Sequence, residues 1–216
     1  MKNFIFIAFL FMFSTCQKEE FSLETDPQES SFLNDGQLTN LVKSIALHDG
    51  SFDDAVDGSN CFSINFPYEI TLDNSTHNIT GIDDLSIFQS GQEIRPVFPI
   101  QITFSNHEQI QLEDYQTLLN LQHNCAEGLM DNNFISCLDF VYNIDVALFD
   151  SSLGTFSSIT FDHDRTTYQS IQGFSKSTLA SIQFPVILKL HGSSDISVHS
   201  NEELKEIILE HQSACN

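Results

Sequence analysis

The chain has 216 residues, and its 30 Asp and Glu against 8 Lys and Arg give a formal net charge of −22 at pH 7. Because a body this acidic repels phosphate backbones and anionic lipid headgroups, the composition excludes nucleic acid and other polyanions as partners. Apolar residues make up 41% of the sequence, which is enough to bury one large core or two small ones.

The first residues, MKNFIFIAFLFMFST, have the order of a secretory signal peptide. A positive charge at Lys2 precedes an apolar run from Phe4 to Phe13, and small hydroxyl residues follow. A run of about ten apolar residues is too short to span a bilayer as a helix. We predict a signal peptide over residues 1–15 and an exported protein. The alternative, a buried N-terminal strand or helix, does not explain the charged and hydroxyl flanks.

The residues CQKEE, from Cys16 to Glu20, follow the apolar run directly. They resemble the start of a Bacteroidetes-type surface lipoprotein, in which a lysine among acidic residues comes just after the acylated cysteine. The resemblance implies lipidation of Cys16 and a lipid-anchored protein of the outer membrane, facing the outside of the cell. A diacylglycerol and an amide-linked chain such as palmitate would anchor it stably, at about 0.8 kcal/mol per buried methylene.

The region before the body of the protein divides into a tether and a helix. Residues 21–35, FSLETDPQESSFLND, are polar and have no steady period. We therefore assign residues 16–35 to the acylated N-terminus and a flexible tether. Residues 36–60 hold a predicted amphipathic helix and an acidic loop. We expect this helix to pack over the first sheet through an apolar side formed by Leu38, Leu41, Val42 and Ile45.

The body contains an internal repeat. CFSINFPYEITL from Cys61 is similar to CLDFVYNIDVAL from Cys137, and FPIQITF from Phe98 is similar to FPVILKL from Phe184. Each of the latter two segments leads into a helix-like stretch that ends in cysteine. We predict repeat 1 over residues 61–125 and repeat 2 over residues 126–216.

Each repeat also divides in two. Four dipeptides open runs of alternating apolar and polar residues, the period of half-buried strands: Phe66-Pro67, Phe98-Pro99, Tyr142-Asn143 and Phe184-Pro185. A turn, a second strand and a helical stretch follow each dipeptide. The predicted fold class is α+β, with two tandem copies of a doubled strand-strand-helix unit and antiparallel sheets, and it leaves open whether the copies share one sheet.

Four cysteines remain when Cys16 is set aside, and an even set in an exported protein predicts disulfides. Because the cysteines bracket the repeats, the preferred pairs are Cys61 with Cys125 and Cys137 with Cys215. The alternative pairs Cys125 with Cys137 and Cys61 with Cys215. This plan resembles Bacteroidetes-type lipoproteins with duplicated, cysteine-bracketed repeats, a resemblance that implies location and repeat plan and no activity.

The loop HDGSFDDAVDGSNC concentrates oxygen ligands before the first repeat. Asp53, Asp54 and Asp57 are candidate calcium ligands, with Asp49 and Asn60 close in sequence. Their order does not match an EF-hand, which needs acids at alternate positions and a closing glutamate. The interpretation we favour is a solvated turn that leads into the first strand.

Two segments contain histidine beside other reactive side chains. FDHDR places His163 between Asp162 and Asp164, and a histidine oriented by a carboxylate is one part of a general base or metal site. His163 has no second ligand at helical or strand spacing, so surface histidines and helix-start acids are the preferred interpretation. HGSSD, from His191 to Asp195, has the residue types of a serine triad, but sequence neighbours do not build that geometry.

No nucleophile elbow, H-E-x-x-H, glycine-rich phosphate loop or C-x-x-C occurs in the sequence. We therefore assign no catalytic residue and no cofactor. The expected function is a non-catalytic binding or structural role at the cell surface, toward a protein or glycan ligand. Two alternatives stay open: a hydrolase of extracellular polymers with carboxylates from both repeats in one groove, and a calcium-dependent adhesin.

Overall fold

The computed structural model describes residues 30–88, 92 and 94–212. The predicted signal peptide, the lipidation site Cys16, most of the tether and Cys215 lie outside the described residues. The described part contains five α-helices and four three-stranded antiparallel sheets. The α+β class with antiparallel sheets is confirmed.

The folded part begins earlier than the predicted end of the tether at Asp35. Phe32 is fully buried, and a 3₁₀ turn spans Phe32–Asn34. The hydroxyl oxygen of Ser31 accepts a hydrogen bond from the backbone N–H of Ala180, at 3.0 Å. The last residues assigned to the tether are therefore packed, because a buried phenylalanine offsets the ordering entropy of the polar residues around it.

Helix α1 spans Gly36–Ile45, and its predicted apolar side is buried. The carboxylate of Asp35 caps its N-terminus by accepting from the backbone N–H groups of Gln37 and Leu38. The second carboxylate oxygen of Asp35 lies 2.7 Å from Nζ of Lys205, a residue near the C-terminus of the chain.

The first half begins with a 3₁₀ turn at Ser51–Asp53, which runs into the short helix α2, Asp54–Asp57. A second 3₁₀ helix, Ile82–Ile87, lies where a helical stretch was predicted. The other elements are β1 (Phe62–Ile64), β2 (Tyr68–Leu72), β3 (Ser75–Ile79), β4 (Ile94–Pro96), β5 (Ile100–Phe104), β6 (Gln109–Leu112) and α3 (Tyr115–Ala126).

The second half has eight elements in the same kind of order. They are β7 (Leu138–Val141), β8 (Ile144–Asp150), β9 (Thr155–Phe161), α4 (Asp164–Gly173), β10 (Thr178–Ile182), β11 (Val186–Leu190), β12 (Ile196–Val198) and α5 (Asn201–Gln212).

The strand order is the same in both halves. The sheets run β3-β2-β4 and β1-β5-β6 in the first half, and β9-β8-β10 and β7-β11-β12 in the second. The strand before each dipeptide pairs with a strand of the other unit in the same half, as β1 does with β5 and β4 with β2. The prediction of two strands per unit therefore missed the third strand of each sheet. All four dipeptides are cis, and the residue after each begins β2, β5, β8 or β11.

Each half has its own apolar core, and α1 belongs to the second one. The side chains of Leu38, Val42 and Ile45 pack in one cluster with those of Leu138 and Leu204. The expectation that α1 covers the first sheet is wrong, because the period of a helix reports which side is buried and not what buries it. The first core is built from its own strands and α3, with Val56 of α2 added.

The predicted disulfide between Cys61 and Cys125 is confirmed, with the two Cα atoms 5.9 Å apart. It joins the start of β1 to α3. Cys137 is disulfide-bonded as well. Its sulfur lies 3.7 Å from the carbonyl oxygen of His211 in α5. The predicted partner, Cys215, follows α5 in the sequence and lies outside the described residues.

Candidate functional site

A polar cleft of about 260 Å³ lies where α1, the first half and the second half meet. Its walls come from the end of α1 and the loop after it, the β5–β6 turn, the segment that joins the halves, and three separate elements of the second half. We call it the central cleft. Its charged or ionisable lining residues are His48, Asp49, His107, Asp139, Asp164 and His191.

Two long-range hydrogen bonds form the wall nearest α1. His107 Nε2 lies 2.7 Å from the carbonyl oxygen of Ala46, and the backbone N–H of His48 donates to the carbonyl oxygen of Ser105 at 2.9 Å. The ring of His107 also lies 5.8 Å from that of Tyr168 in α4. The β5–β6 turn therefore contacts both α1 and α4, which places the first half against the second.

The two histidines of this wall favour their neutral forms. His48 Nε2 lies 2.6 Å from the hydroxyl oxygen of Ser63, which is itself buried and so out of reach of a substrate. Burial lowers the pKa of His48, and the charge on His107 lowers it further. Burial also lowers the pKa of His107, against the opposing hydrogen bond to Ala46. Both rings thus present polar, uncharged surface at neutral pH.

The opposite wall carries a histidine–carboxylate pair and a partly buried carboxyl group. His191 Nε2 lies 2.7 Å from Oδ2 of Asp139, and both side chains are about half exposed. Asp164 Oδ1 accepts from the Tyr142 hydroxyl at 2.7 Å. Burial raises the pKa of Asp164, the hydrogen bond from Tyr142 lowers it, and the charge on Asp139 raises it. Burial likewise raises the pKa of Tyr142, which remains a hydrogen-bond donor.

The cleft combines the carboxyl groups of Asp49, Asp139 and Asp164 with the imidazoles of His48 and His107, which favour their neutral forms. An acidic lining of this kind attracts a small cationic group. Its acids come from the loop after α1 and from the second half, whereas the first half contributes His107. The arrangement therefore differs from the expected groove with carboxylates from both repeats. Within residues 30–88, 92 and 94–212, no three His, Cys, Asp or Glu side chains converge in a metal-binding arrangement.

The structure separates the residues that the histidine segments singled out. Asp164 and His191 both line the central cleft. His163 lies on the surface, with Nδ1 at 2.6 Å from Oδ1 of Asp162, and caps the start of α4.

Four residues of the central cleft and its surroundings were not identified from the sequence. They are His48, His107, Asp139 and Tyr142. Their neighbours come from distant parts of the chain, since His107 and Ala46 are 61 positions apart. Tyr142 is the exception with a detectable signal, because it occupies the aromatic position of one of the four strand-opening dipeptides.

The acidic loop is not the solvated turn that we favoured. Asp53 and Asp57 are both 0% exposed, whereas Asp54 between them is exposed. Burial raises the pKa of Asp53 to about 7 and that of Asp57 to about 9. The candidate ligands therefore divide into an inward pair and an outward residue, because a spacing of four along a helical turn puts two side chains on one side.

No family model, curated protein or solved structure matches this chain. None of the helices in the described part of the chain is long and apolar enough to cross a membrane.

Proposed function

We propose that this protein is a lipid-anchored protein of the outer membrane, displayed on the cell surface, with a non-catalytic binding role. The N-terminal sequence supports the location: a short apolar run, the acylation candidate Cys16 and the acidic, lysine-containing residues after it. The net charge of −22 is consistent with a body held away from anionic headgroups by its tether.

The body consists, in this proposal, of two tandem copies of one unit. Three observations support the duplication: the similar segments at Cys61 and Cys137, the common strand order of the halves, and the four strand-opening dipeptides at equivalent positions. Joining two copies creates a junction between them, and ligand sites occur preferentially at such junctions.

The central cleft is the binding site, and the observation that carries this assignment is the Asp139–His191 pair in its wall. The pair is half exposed, oriented by a 2.7 Å contact and surrounded by further acidic groups. A cleft of about 260 Å³ has room for a single small group. The ligand class is a cationic group, such as a primary ammonium or guanidinium, presented by a protein or by an amino sugar of a glycan.

The location is tested by labelling cells with palmitate and then treating intact cells with protease. The wild type should incorporate label and be degraded from outside, while Cys16→Ala should incorporate none. An unlabelled wild type, or one that protease reaches only after lysis, would contradict the proposed location.

The binding site is tested by NMR of histidine side chains during titration with arginine, lysine and glucosamine. We expect the ring signals of His191 to shift with at least one of these probes, and Asp139→Asn to weaken binding at least about tenfold, equivalent to about 1.4 kcal/mol. Asp195→Asn, in an exposed turn outside the cleft, is the matched control. Absence of any shift, or equal affinity of both variants, would contradict the assignment.

A hydrolase is the second candidate function, and one observation favours it. Asp164 is a carboxyl group whose pKa is raised by burial, and it lies near the Asp139 carboxylate in the same cleft. A carboxyl group with a raised pKa beside a second carboxyl group is the kind of pair that glycoside hydrolysis uses. Hydrolysis of a surface polysaccharide that falls at least about 100-fold in both Asp164→Asn and Asp139→Asn would favour this function over simple binding.

A further inference from the structure

Two carboxyl groups outside the central cleft are completely enclosed in the first half. Asp53 and Asp57 are both 0% exposed and lie four residues apart in the helical turn before β1. Each uses one oxygen for a backbone N–H group: Asp53 Oδ2 accepts from Ile64 at 2.8 Å, and Asp57 Oδ1 accepts from Ser59 at 3.1 Å.

The other oxygen of each carboxyl group has no hydrogen-bond partner among the described residues, and the same is true of a third buried oxygen nearby. Asp53 Oδ1, Asp57 Oδ2 and the hydroxyl of Tyr68 are all unpartnered. Tyr68 comes from a different element, β2, and is 6% exposed. Tyr68 packs in the same core cluster as Val56, the α2 residue next to Asp57, so β2 and the α2 turn face each other. After burial itself, the charges on Asp53 and Asp57 are the causes that raise the pKa of Tyr68.

This group of oxygens lacks a compensating positive charge from the protein. In the part of the chain that the structure describes, no Lys, Arg or His forms an ion pair with Asp53 or Asp57. Buried polar atoms are nearly always bonded, and buried charges are paired or coordinate a metal. The three unpartnered oxygens, one from each buried acid and one from the buried hydroxyl, therefore require a proton, a water molecule or a cation.

We propose that Asp53, Asp57 and Tyr68 are the side-chain ligands of a calcium site that holds the α2 turn against β2. All three ligand atoms are oxygens, which Ca²⁺ prefers, whereas structural Zn²⁺ sites are built mainly from cysteine and histidine. Mg²⁺ demands near-ideal octahedral geometry and retains several waters, which suits an enclosed site poorly. Ca²⁺ tolerates irregular geometry and mixes carboxylate oxygens with backbone and water oxygens.

Binding at this site has a structural consequence for the first half. Asp53 already bonds to β1 through Ile64, and the backbone carbonyl of Asp57 accepts from the side chain of Gln122 in α3. A cation between Asp53, Asp57 and β2 would connect the α2 turn to a third element. The site is separate from the central cleft, so it stands or falls independently of the proposed ligand-binding role.

The test uses the purified full-length protein after removal of divalent ions with EDTA. We expect CaCl₂ to raise the melting temperature by several degrees and Tb³⁺ to give luminescence when tyrosine is excited, since the chain contains no Trp. Calcium should displace Tb³⁺ and extinguish this emission. Tyr68→Phe should abolish the sensitised emission, and the matched control Tyr115→Phe, on the exposed end of α3, should retain it.

A double variant, Asp53→Asn with Asp57→Asn, should lose both the calcium-dependent rise in melting temperature and the emission. Should this variant fail to fold, the wild type and Tyr68→Phe still decide the matter. If CaCl₂ does not change the melting temperature of the wild type, the buried acids are protonated and bind no calcium, and the proposal is overturned. Emission that persists in Tyr68→Phe would also overturn it, because Tb³⁺ would then be bound elsewhere on the acidic surface.

Discussion

The imidazole of His107 is joined to the carbonyl oxygen of Ala46 by a hydrogen bond of 2.7 Å. His107 lies in the β5–β6 turn of the first half, and Ala46 lies at the end of α1, which packs on the core of the second half. The bond therefore connects the two halves directly and fixes one wall of the central cleft. Both residues are buried, so the carbonyl has no access to water as a substitute donor.

The first prediction is that His107→Phe destabilises the protein by about 1–3 kcal/mol. The phenyl ring fills similar space but donates no hydrogen bond, which leaves a buried carbonyl oxygen unpaired. Urea denaturation measures the loss. The control is His123→Phe on the exposed side of α3, which should change the free energy of unfolding by less than about 0.5 kcal/mol. Equal losses in the two variants would contradict a linking role for His107.

The second prediction is that protonation of His48 at low pH lowers the free energy of unfolding. Burial lowers the pKa of this histidine in the fold, so below about pH 6.5 the unfolded chain binds more protons than the folded chain. The contribution of neutral His48 to the free energy of unfolding is therefore fully present above that pH, and it is lost as the pH falls through the lowered pKa of the folded state. Compared with His48→Gln, the wild type should lose its advantage in free energy of unfolding between pH 7.5 and pH 5.

The comparison with a variant is needed because protonation of other groups changes the free energy of unfolding in the opposite direction. The raised pKa values of Asp53 and Asp164 mean that the folded chain binds more protons there, so acid stabilises the fold through these two groups. The absolute slope of stability with pH mixes both effects. A difference between wild type and His48→Gln that stays constant over the range, or grows as the pH falls, would contradict the assignment to His48.

Local periodicity predicted those parts of the fold that depend on near neighbours in the chain. The buried side of α1 and the strand starts after the four dipeptides are confirmed, because a helix or strand repeats its buried side at a fixed period. Periodicity did not predict that β1 pairs with β5 and that β4 pairs with β2, since a short strand can pair equally well with several others. The placement of α1 on the second half was missed for a related reason.

The candidate sites show the same limit more strongly. Asp164 and His191 were noticed because of their sequence neighbours, yet the central cleft depends on His107 and Asp139, which contact it from distant elements. The sequence placed Asp53 and Asp57 in one loop but did not give the direction of their side chains. Which side of a four-residue helix faces the core is decided by β1 and β2, and so by tertiary packing.

The third prediction concerns the disulfide between Cys61 and Cys125. Replacing both cysteines with serine should lower the free energy of unfolding by about 4 kcal/mol, since the bond closes a loop with a sequence separation of 64 in the unfolded chain. Urea denaturation under oxidising conditions measures the effect. Cys125→Ser alone should cost about as much, because either change removes the bond. Identical midpoints for wild type and double variant would show that the bond contributes nothing to stability.

The fourth prediction separates a folded N-terminal segment from a tether that continues to Asp35. Phe32→Ala should destabilise the protein by about 3–5 kcal/mol, because Phe32 is 0% exposed and packs with α1 in the core of the second half. Phe156→Ala is the matched control, since that ring is 57% exposed on β9 and its removal should change little. Thermal and urea unfolding of both variants provide the measurement. If the two phenylalanines prove equally dispensable, Phe32 belongs to the tether, and the folded part of the protein begins at α1.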